Sequence, residues 1–124
     1  MISTTIPIQG TFDIAKGRNS LRAHVAAQRW SPTFGARAAA ALTALGELIL
    51  QANRHNLVIV RMNVFEEGDE IGVEFTCNIQ IPEGVSAGLK QAEDRLSRAA
   101  DQLKMQEIAH SIQITAGVWQ TASV

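Results

Sequence analysis

The chain has 124 residues, of which 46% are hydrophobic and 19% are charged, and its net charge is −1. This length fits one domain over residues 1–124, and the composition is that of an ordinary globular protein. The near-neutral charge argues against nucleic-acid binding, and no apolar run approaches the roughly 20 residues of a membrane helix.

The cysteine and histidine content predicts neither a disulfide nor a metal site. Cys77 is the single cysteine, and the three histidines (His24, His55 and His110) are scattered without metal-ligand spacing. The N-terminal segment also lacks a basic stretch followed by an apolar one. These features together predict a cytoplasmic protein.

The first predicted elements are a strand over residues 4–9 and a helix over residues 13–29. Pro7 cannot donate a ladder hydrogen bond, so we expect the strand at an edge of the sheet. Asp13 is a typical N-cap residue. One side of the helix is apolar, through Ile14, Leu21 and Val25, and we expect Trp30 to close the core behind it.

The second predicted helix covers residues 34–55. Its apolar positions recur at helical spacing and indicate one buried stripe: Ala41, Leu42, Leu45, Leu48, Ile49 and Ala52. Polar residues recur three or four positions apart on the opposite side: Thr43, Glu47, Gln51 and Arg54. Such a row is typical of a solvated helix face, but it is also the pattern expected of a site.

The rest of the chain predicts a hairpin, a helix and a last strand. The hairpin pairs residues 57–65 with 71–80 through the acidic turn "EEGDE", where Gly68 can adopt a positive φ. Cys77 alternates with apolar residues, so we expect a buried, unreactive thiol. The helix covers 85–105, and the strand covers 108–120 with His110 on its buried face.

This β-α-α-β-β-α-β order predicts a two-layer α/β sandwich, a mostly antiparallel mixed sheet with helices on one face. The order and local sequences resemble the ATPase domain of gyrase B and histidine kinases, and most closely the anti-sigma-factor or switch-protein serine kinases of bacterial partner switching. The stretches that carry the resemblance are "FDIAKGRNSLRAHVAAQRW", "ALTALGELILQANRH", "VEFTCNIQIPEG" and "AGLKQAEDRLSRAADQLKMQ" with "SIQITAGVW".

The resemblance implies a histidine kinase-like ATPase fold whose nucleotide site has degenerated. Glu47 occupies the position of the family's base, while Gln51 replaces the asparagine that binds Mg²⁺. Thr76 replaces the aspartate that binds adenine, and Asn78 and Gln80 replace two glycines. Only "EGVS" stands after Pro82, where the family has a glycine-rich lid. We therefore expect no cofactor; the alternative is ATP with Mg²⁺, with Glu47 as the catalytic base.

The distribution of charge suggests where a partner binds. No acidic residue occurs between Ile14 and Gly46, where the basic residues are Lys16, Arg18, Arg22, Arg29 and Arg37. This predicts either a solvated face or a surface that steers an acidic partner. We expect Lys16, Arg18, Arg22 and Arg29 to contact that partner, and Trp119 to do so if its face of the sheet is uncovered.

Three functions are compatible with these observations. The first is a non-catalytic, protein-binding regulatory module of a stress response. Its partner would be an acidic protein such as a STAS-type anti-anti-sigma domain, a sigma factor or a phosphatase regulatory domain. The second is an active ATP-dependent protein serine kinase. The third is a structural subunit of a homo-oligomer, for instance a homodimer.

Overall fold

The computed structural model describes residues 2–53, 56–80 and 87–121. The elements in chain order are β1 (Ile2–Ile8), α1 (Thr11–Ala27), α2 (Pro32–Asn53), β2 (Val58–Glu67), β3 (Glu70–Gln80), α3 (Ala87–Ala99), β4 (Gln102–Ile108) and β5 (Ser111–Thr121). The ends predicted at residues 55 and 85, together with Arg54, His55, Pro82 and the "EGVS" segment, lie outside the described residues.

The five strands form one sheet in the order β1-β2-β3-β5-β4. All four pairings are antiparallel, so the mixed sheet of the sequence-based prediction is wrong. The strand with Pro7 does lie at an edge, since β2 is the one partner of β1 among the described strands. The turn between β2 and β3 contains Gly68 with φ 60°, as predicted.

The three helices cover one face of this sheet, which confirms the predicted two-layer arrangement. The core holds the alternating side chains of the central strands, among them Val60, Val73, Phe75 and Ile114, which are fully buried. The helices contribute the predicted stripes, including Leu21, Leu42, Leu45 and Leu96. Trp30 is also buried, with its ring edge-on to Phe34 at 5.4 Å between centroids. Burial of such side chains supplies the main driving force for folding.

α2 is the central helix of the layer, since it contacts α1 on one side and α3 on the other. The crossing with α1 is close because Gly46 has no side chain: a Cβ there would lie 2.6 Å from a side-chain carbon of Ile14. α2 is long and apolar enough to span a membrane by length and composition alone. Half of its most apolar window is buried inside the fold, as in the core helix of a globular protein.

Two helix starts differ from the prediction. α1 begins two residues before Asp13, whose carboxylate accepts hydrogen bonds from the N–H groups of Gln9 (2.8 Å) and Gly10 (3.1 Å). Asp13 is therefore the third helical residue and caps from inside the first turn. α2 begins at Pro32, and the Ser31 hydroxyl accepts a hydrogen bond from Phe34 N–H (3.2 Å). Proline is well suited to a first helical position.

The largest error concerns residues 100–110. α3 ends at Ala99, and residues 102–108 form a strand, β4, instead of the last turns of a helix. The Asp101 N–H donates to the Gly117 carbonyl (2.9 Å), which takes the chain out of the helix and into the sheet. His110, predicted on a buried strand face, lies exposed in the turn between β4 and β5.

Candidate functional site

The outer surface of the helix layer carries a groove between α1 and α2. It has a volume of about 590 Å³ and a largely apolar lining that includes Leu21, Val25, Trp30 and Ala36. Arg18 and Arg22 line it from α1, and both side chains are exposed. These two arginines belong to the acid-free segment that the sequence singled out.

A second depression, of about 680 Å³, lies between α2 and α3. Arg95 and Arg98 line it from α3, while Glu47 lines it from α2. It shares Arg18, Ala36 and Ala39 with the first, so the two are continuous across α2. We call this continuous surface the arginine groove; its floor is Ala36, Ala39, Ala40 and Thr43, and its flanks are Arg18, Arg22, Arg95 and Arg98.

The arginine groove is electropositive. Four arginines and one carboxylate, Glu47, are the charged groups among the described residues that line it, a net charge of +3. Glu47 Oε2 accepts a hydrogen bond from Arg95 Nε at 3.1 Å, and both side chains are nearly half exposed. Glu47 and Arg95 therefore form an exposed ion pair on the wall of the groove.

The remaining basic residues of the acid-free segment lie outside the groove lining. The Lys16 ammonium lies over the exposed ring of Phe12, 5.7 Å from its centroid. Arg29 is exposed after the end of α1, in a left-handed conformation with φ 56°. Arg37 forms an ion pair with Asp101 and donates to the Trp119 carbonyl (3.1 Å), so its charge is neutralised.

The residues that the resemblance assigned to a nucleotide site do not lie together in the structure. Glu47 and Gln51 lie on α2, in the helix layer. Thr76, Asn78 and Gln80 lie within β3, paired with Thr115, Gln113 and Ser111 of β5. The burial of the intervening Cys77 and Ile79 against the helices places these three on the opposite face of the sheet. Within the described part of the chain, the sheet separates the two groups, so they do not fit around one nucleotide.

Trp119 lies on the face of the sheet opposite to the three described helices, here called the helix-free face, since it alternates with the buried Val118. Its ring stacks on Phe65 with 5.9 Å between centroids. It also covers Gly72, where a Cβ would lie 2.4 Å from the indole. The residue is partly buried, because much of its surface is used by these internal contacts.

The described residues contain no group of three or more His, Cys, Asp or Glu side chains that could hold a metal ion. Cys77 is buried, and desolvation raises the pKa of its thiol to about 12. A thiol of this kind is protonated at neutral pH and is a poor nucleophile or metal ligand.

Sequence reasoning missed Arg95 and Arg98. They occur in the mixed-charge segment "EDRLSRA", where the neighbouring Glu93 and Asp94 cancel the positive charge of the two arginines along the sequence. Their three-residue spacing does place both on one face of α3. The packing of α3 beside α2 then brings that face opposite α1.

No known family profile matches this sequence, and no curated protein matches it significantly. Among solved structures, the chain is similar to a chain in the crystal structure of the SiaB–SiaC complex from Pseudomonas aeruginosa. The TM-score is 0.62 and the identity is 13%, over 97% of this chain and 90% of that chain. At this identity the likeness concerns the fold.

Proposed function

We propose that this protein is a non-catalytic regulatory module that binds an acidic protein partner through the arginine groove. The observation that carries the proposal is the groove itself, where exposed arginines flank an apolar floor. Arginine is enriched at protein interfaces, and its planar guanidinium can hold carboxylates in bidentate fashion. An apolar floor supplies the surface whose burial stabilises a complex.

The charge of the groove favours fast and selective association. An uncompensated basic surface raises the encounter rate with an acidic partner more than it deepens the final affinity. The resemblance to the switch-protein kinases suggests the kind of partner: a STAS-type domain, a sigma factor or a phosphatase regulatory domain, in the cytoplasm. That a chain with a similar fold occurs in a complex of two proteins supports this proposal.

The proposal is tested with a partner isolated by pull-down from the source cells and then purified. Association is measured at low and high salt for the wild type and for the double exchange Arg18→Glu/Arg22→Glu. We expect the association rate to fall at least about tenfold with this exchange and to fall with added salt. The melting temperature should be nearly unchanged, because both side chains are exposed.

The matched control is Lys16→Glu/Arg29→Glu, which makes the same change of charge on exposed positions outside the groove lining. It should slow association clearly less than the groove exchange. A rate that is indifferent to salt and to both exchanges would contradict the proposal. The interface would then lie elsewhere, with the helix-free sheet face around Trp119 as the next surface to test.

A further inference from the structure

Resting on this proposed function, we infer that the partner presents one α-helix to the arginine groove. The helix lies lengthwise on α2, between α1 and α3. One stripe of the helix carries alanine or other small apolar residues, and acidic residues follow on both sides of that stripe. The charge of the groove alone does not specify such a docking element.

The floor of the groove has the shape that a helix requires. Ala36, Ala39, Ala40 and Thr43 follow each other at helical spacing, and Ala36 and Ala40 are exposed. Because these side chains are small, a second helix can approach α2 to an interaxial distance of about 8 Å. From Ala36 to Glu47 the arginine groove extends along α2 over about 16 Å, or three helical turns.

The groove also disfavours an extended peptide. Its walls are helices, whose interior N–H and C=O groups already pair within each helix. A partner strand on the alanine floor would leave its own N–H groups without acceptors, which is costly on an apolar surface. A partner helix satisfies its backbone internally and offers only side chains.

The arginines predict the positions of the partner's acidic residues. Arg18 and Arg22 are four residues apart on α1, and Arg95 and Arg98 are three apart on α3. Each pair therefore forms a row along one wall of the groove. Acidic side chains on both flanks of the incoming helix would meet these two rows. Glu47 would repel a carboxylate placed at its end of the floor.

The acidic hairpin of a second copy of this chain fits the groove less well. The tip comprises Glu66, Glu67, Asp69 and Glu70 around Gly68, and it contains no apolar residue. It would satisfy the arginines but would leave the alanine floor uncovered. The observations thus favour a separate partner over self-association.

The experiment uses labelled synthetic peptides of about 18 residues, long enough to populate a helix. One peptide has an alanine stripe flanked by glutamates, and the other has the same composition scrambled so that no stripe forms. Binding is measured by fluorescence anisotropy. We expect the striped peptide to bind at least about tenfold tighter than the scrambled one, and to become helical on binding.

Variants of the floor separate shape from charge. Ala40→Trp keeps every charge but blocks close approach, and should weaken striped-peptide binding at least about tenfold. Ala36→Trp, one turn away, is a second such variant. Ala23→Trp places the same bulk on an exposed position of α1 outside the groove lining and should have no effect. Unchanged melting temperatures establish that each variant folds.

Equal binding of both peptides, binding insensitive to Ala40→Trp and Ala36→Trp, or no binding of either peptide would overturn the helix inference. The proposed function fails on a different result, namely when Arg18→Glu/Arg22→Glu leaves the association of the natural partner unchanged. A partner that depends on the arginines but tolerates both tryptophans would therefore sustain the proposed function and reject the helix.

Discussion

At the scale of residues, the surroundings of a side chain decide its chemistry. Glu47 is the position that most resembles a catalytic residue, yet the Arg95 guanidinium lies 3.1 Å from its carboxylate. An exposed pair of this kind contributes at most about 1 kcal/mol to stability. Its effect is to hold Arg95 along the wall of the groove. Cys77 shows the same dependence on surroundings, since burial changes a potential nucleophile into a core side chain.

The buried thiol of Cys77 predicts how stability depends on alkaline pH. Burial raises the pKa of Cys77 from 9.0 to about 12, so the unfolded chain releases this proton first. The contribution of the protonated thiol to stability should be fully present below pH 9 and should be lost between pH 9 and 12. In this range the free energy of unfolding should fall by up to about 1.4 kcal/mol per pH unit.

Urea unfolding at a series of pH values measures this slope. The chain has no tyrosine to titrate in the same range. Cys77→Ala should be less stable than the wild type at neutral pH, because a buried side chain is truncated, but it should lack the loss of stability between pH 9 and 12 that the thiol causes. An identical slope in the variant would show that another group is responsible. Alkylation of Cys77 in the native protein should proceed only as fast as the chain opens.

At the scale of elements, most of the fold could be predicted from local patterns, and the errors occur where distant contacts decide. The stripes of α1 and α2 and the alternation of β3 are periodic signals, and most of these side chains are buried, while Val25, Ala52 and Ile71 are partly buried. The apolar residues of the helix predicted over 85–105 recur at helical spacing up to Leu103, but Leu103 instead faces the helix layer from β4, opposite Ala116. Only pairing with β5 decides between a helix and a strand at residues 102–108, and the spacing of apolar residues in the sequence does not contain that information.

The residues of the candidate site likewise fall into those that the sequence could predict and those that it could not. Arg18 and Arg22 could be predicted from the acid-free segment, because the sequence alone shows that no Asp or Glu lies near them along the chain. Arg95 and Arg98 could not, since α3 must first pack beside α2 before they face the same groove. The resemblance to a nucleotide site likewise depends on sequence order. It aligned motifs along the chain, while the side chains of Thr76 and Glu47 lie on opposite sides of the sheet.

Asp101 joins elements that are distant in sequence, which makes it a test of the α3–β4 boundary. Its carboxylate accepts a hydrogen bond from Trp119 N–H at 2.8 Å and pairs with Arg37 of α2. Asp101→Ala should lower the free energy of unfolding by about 1–2 kcal/mol, because it leaves a backbone N–H and a guanidinium without their acceptor. Denaturant unfolding provides the measurement.

The control for Asp101 is Asp94→Ala, which removes an exposed carboxylate of α3 that has no partner among the described residues. This exchange should change stability by less than about 0.5 kcal/mol. Equal effects of the two substitutions would mean that the contacts of Asp101 contribute nothing beyond surface charge.

The β4–β5 turn contains a strained residue whose replacement should stabilise the protein. Ala109 adopts φ 55°, in the left-handed region that costs an L-residue about 1–2 kcal/mol. Ala109→Gly relieves this strain but adds freedom to the unfolded chain, so the net gain should be about 0.5 kcal/mol. Ala27→Gly, at the end of α1, makes the same change without a strained φ and should destabilise. A loss of stability in Ala109→Gly would contradict the conformation described for this turn.

At the scale of the whole molecule, the sheet divides the protein into surfaces with different chemistry. The helix layer carries the basic groove, and the turn between β2 and β3 carries the acidic tip. The helix-free face of the sheet is largely polar; one row across it contains Thr5, Arg61, Thr76, Thr115 and Lys104. With this separation, a partner on one surface would leave the others accessible.

The same separation predicts how the protein responds to ATP. Because Glu47 and Gln51 lie on α2 while Thr76, Asn78 and Gln80 lie across the sheet, millimolar Mg-ATP should not raise the melting temperature through a nucleotide site. A ligand at 100 times its Kd would add about 2.7 kcal/mol to the free energy of unfolding, which shifts the melting temperature of a domain of this size by several degrees.

ATP is also a polyanion, so it could contact the arginine groove without Mg²⁺. A shift that persists in EDTA and disappears in Arg18→Glu/Arg22→Glu would report on the groove. A Mg²⁺-dependent shift that is lost in Glu47→Ala or Gln51→Ala would instead establish nucleotide binding and favour the kinase over the binding module.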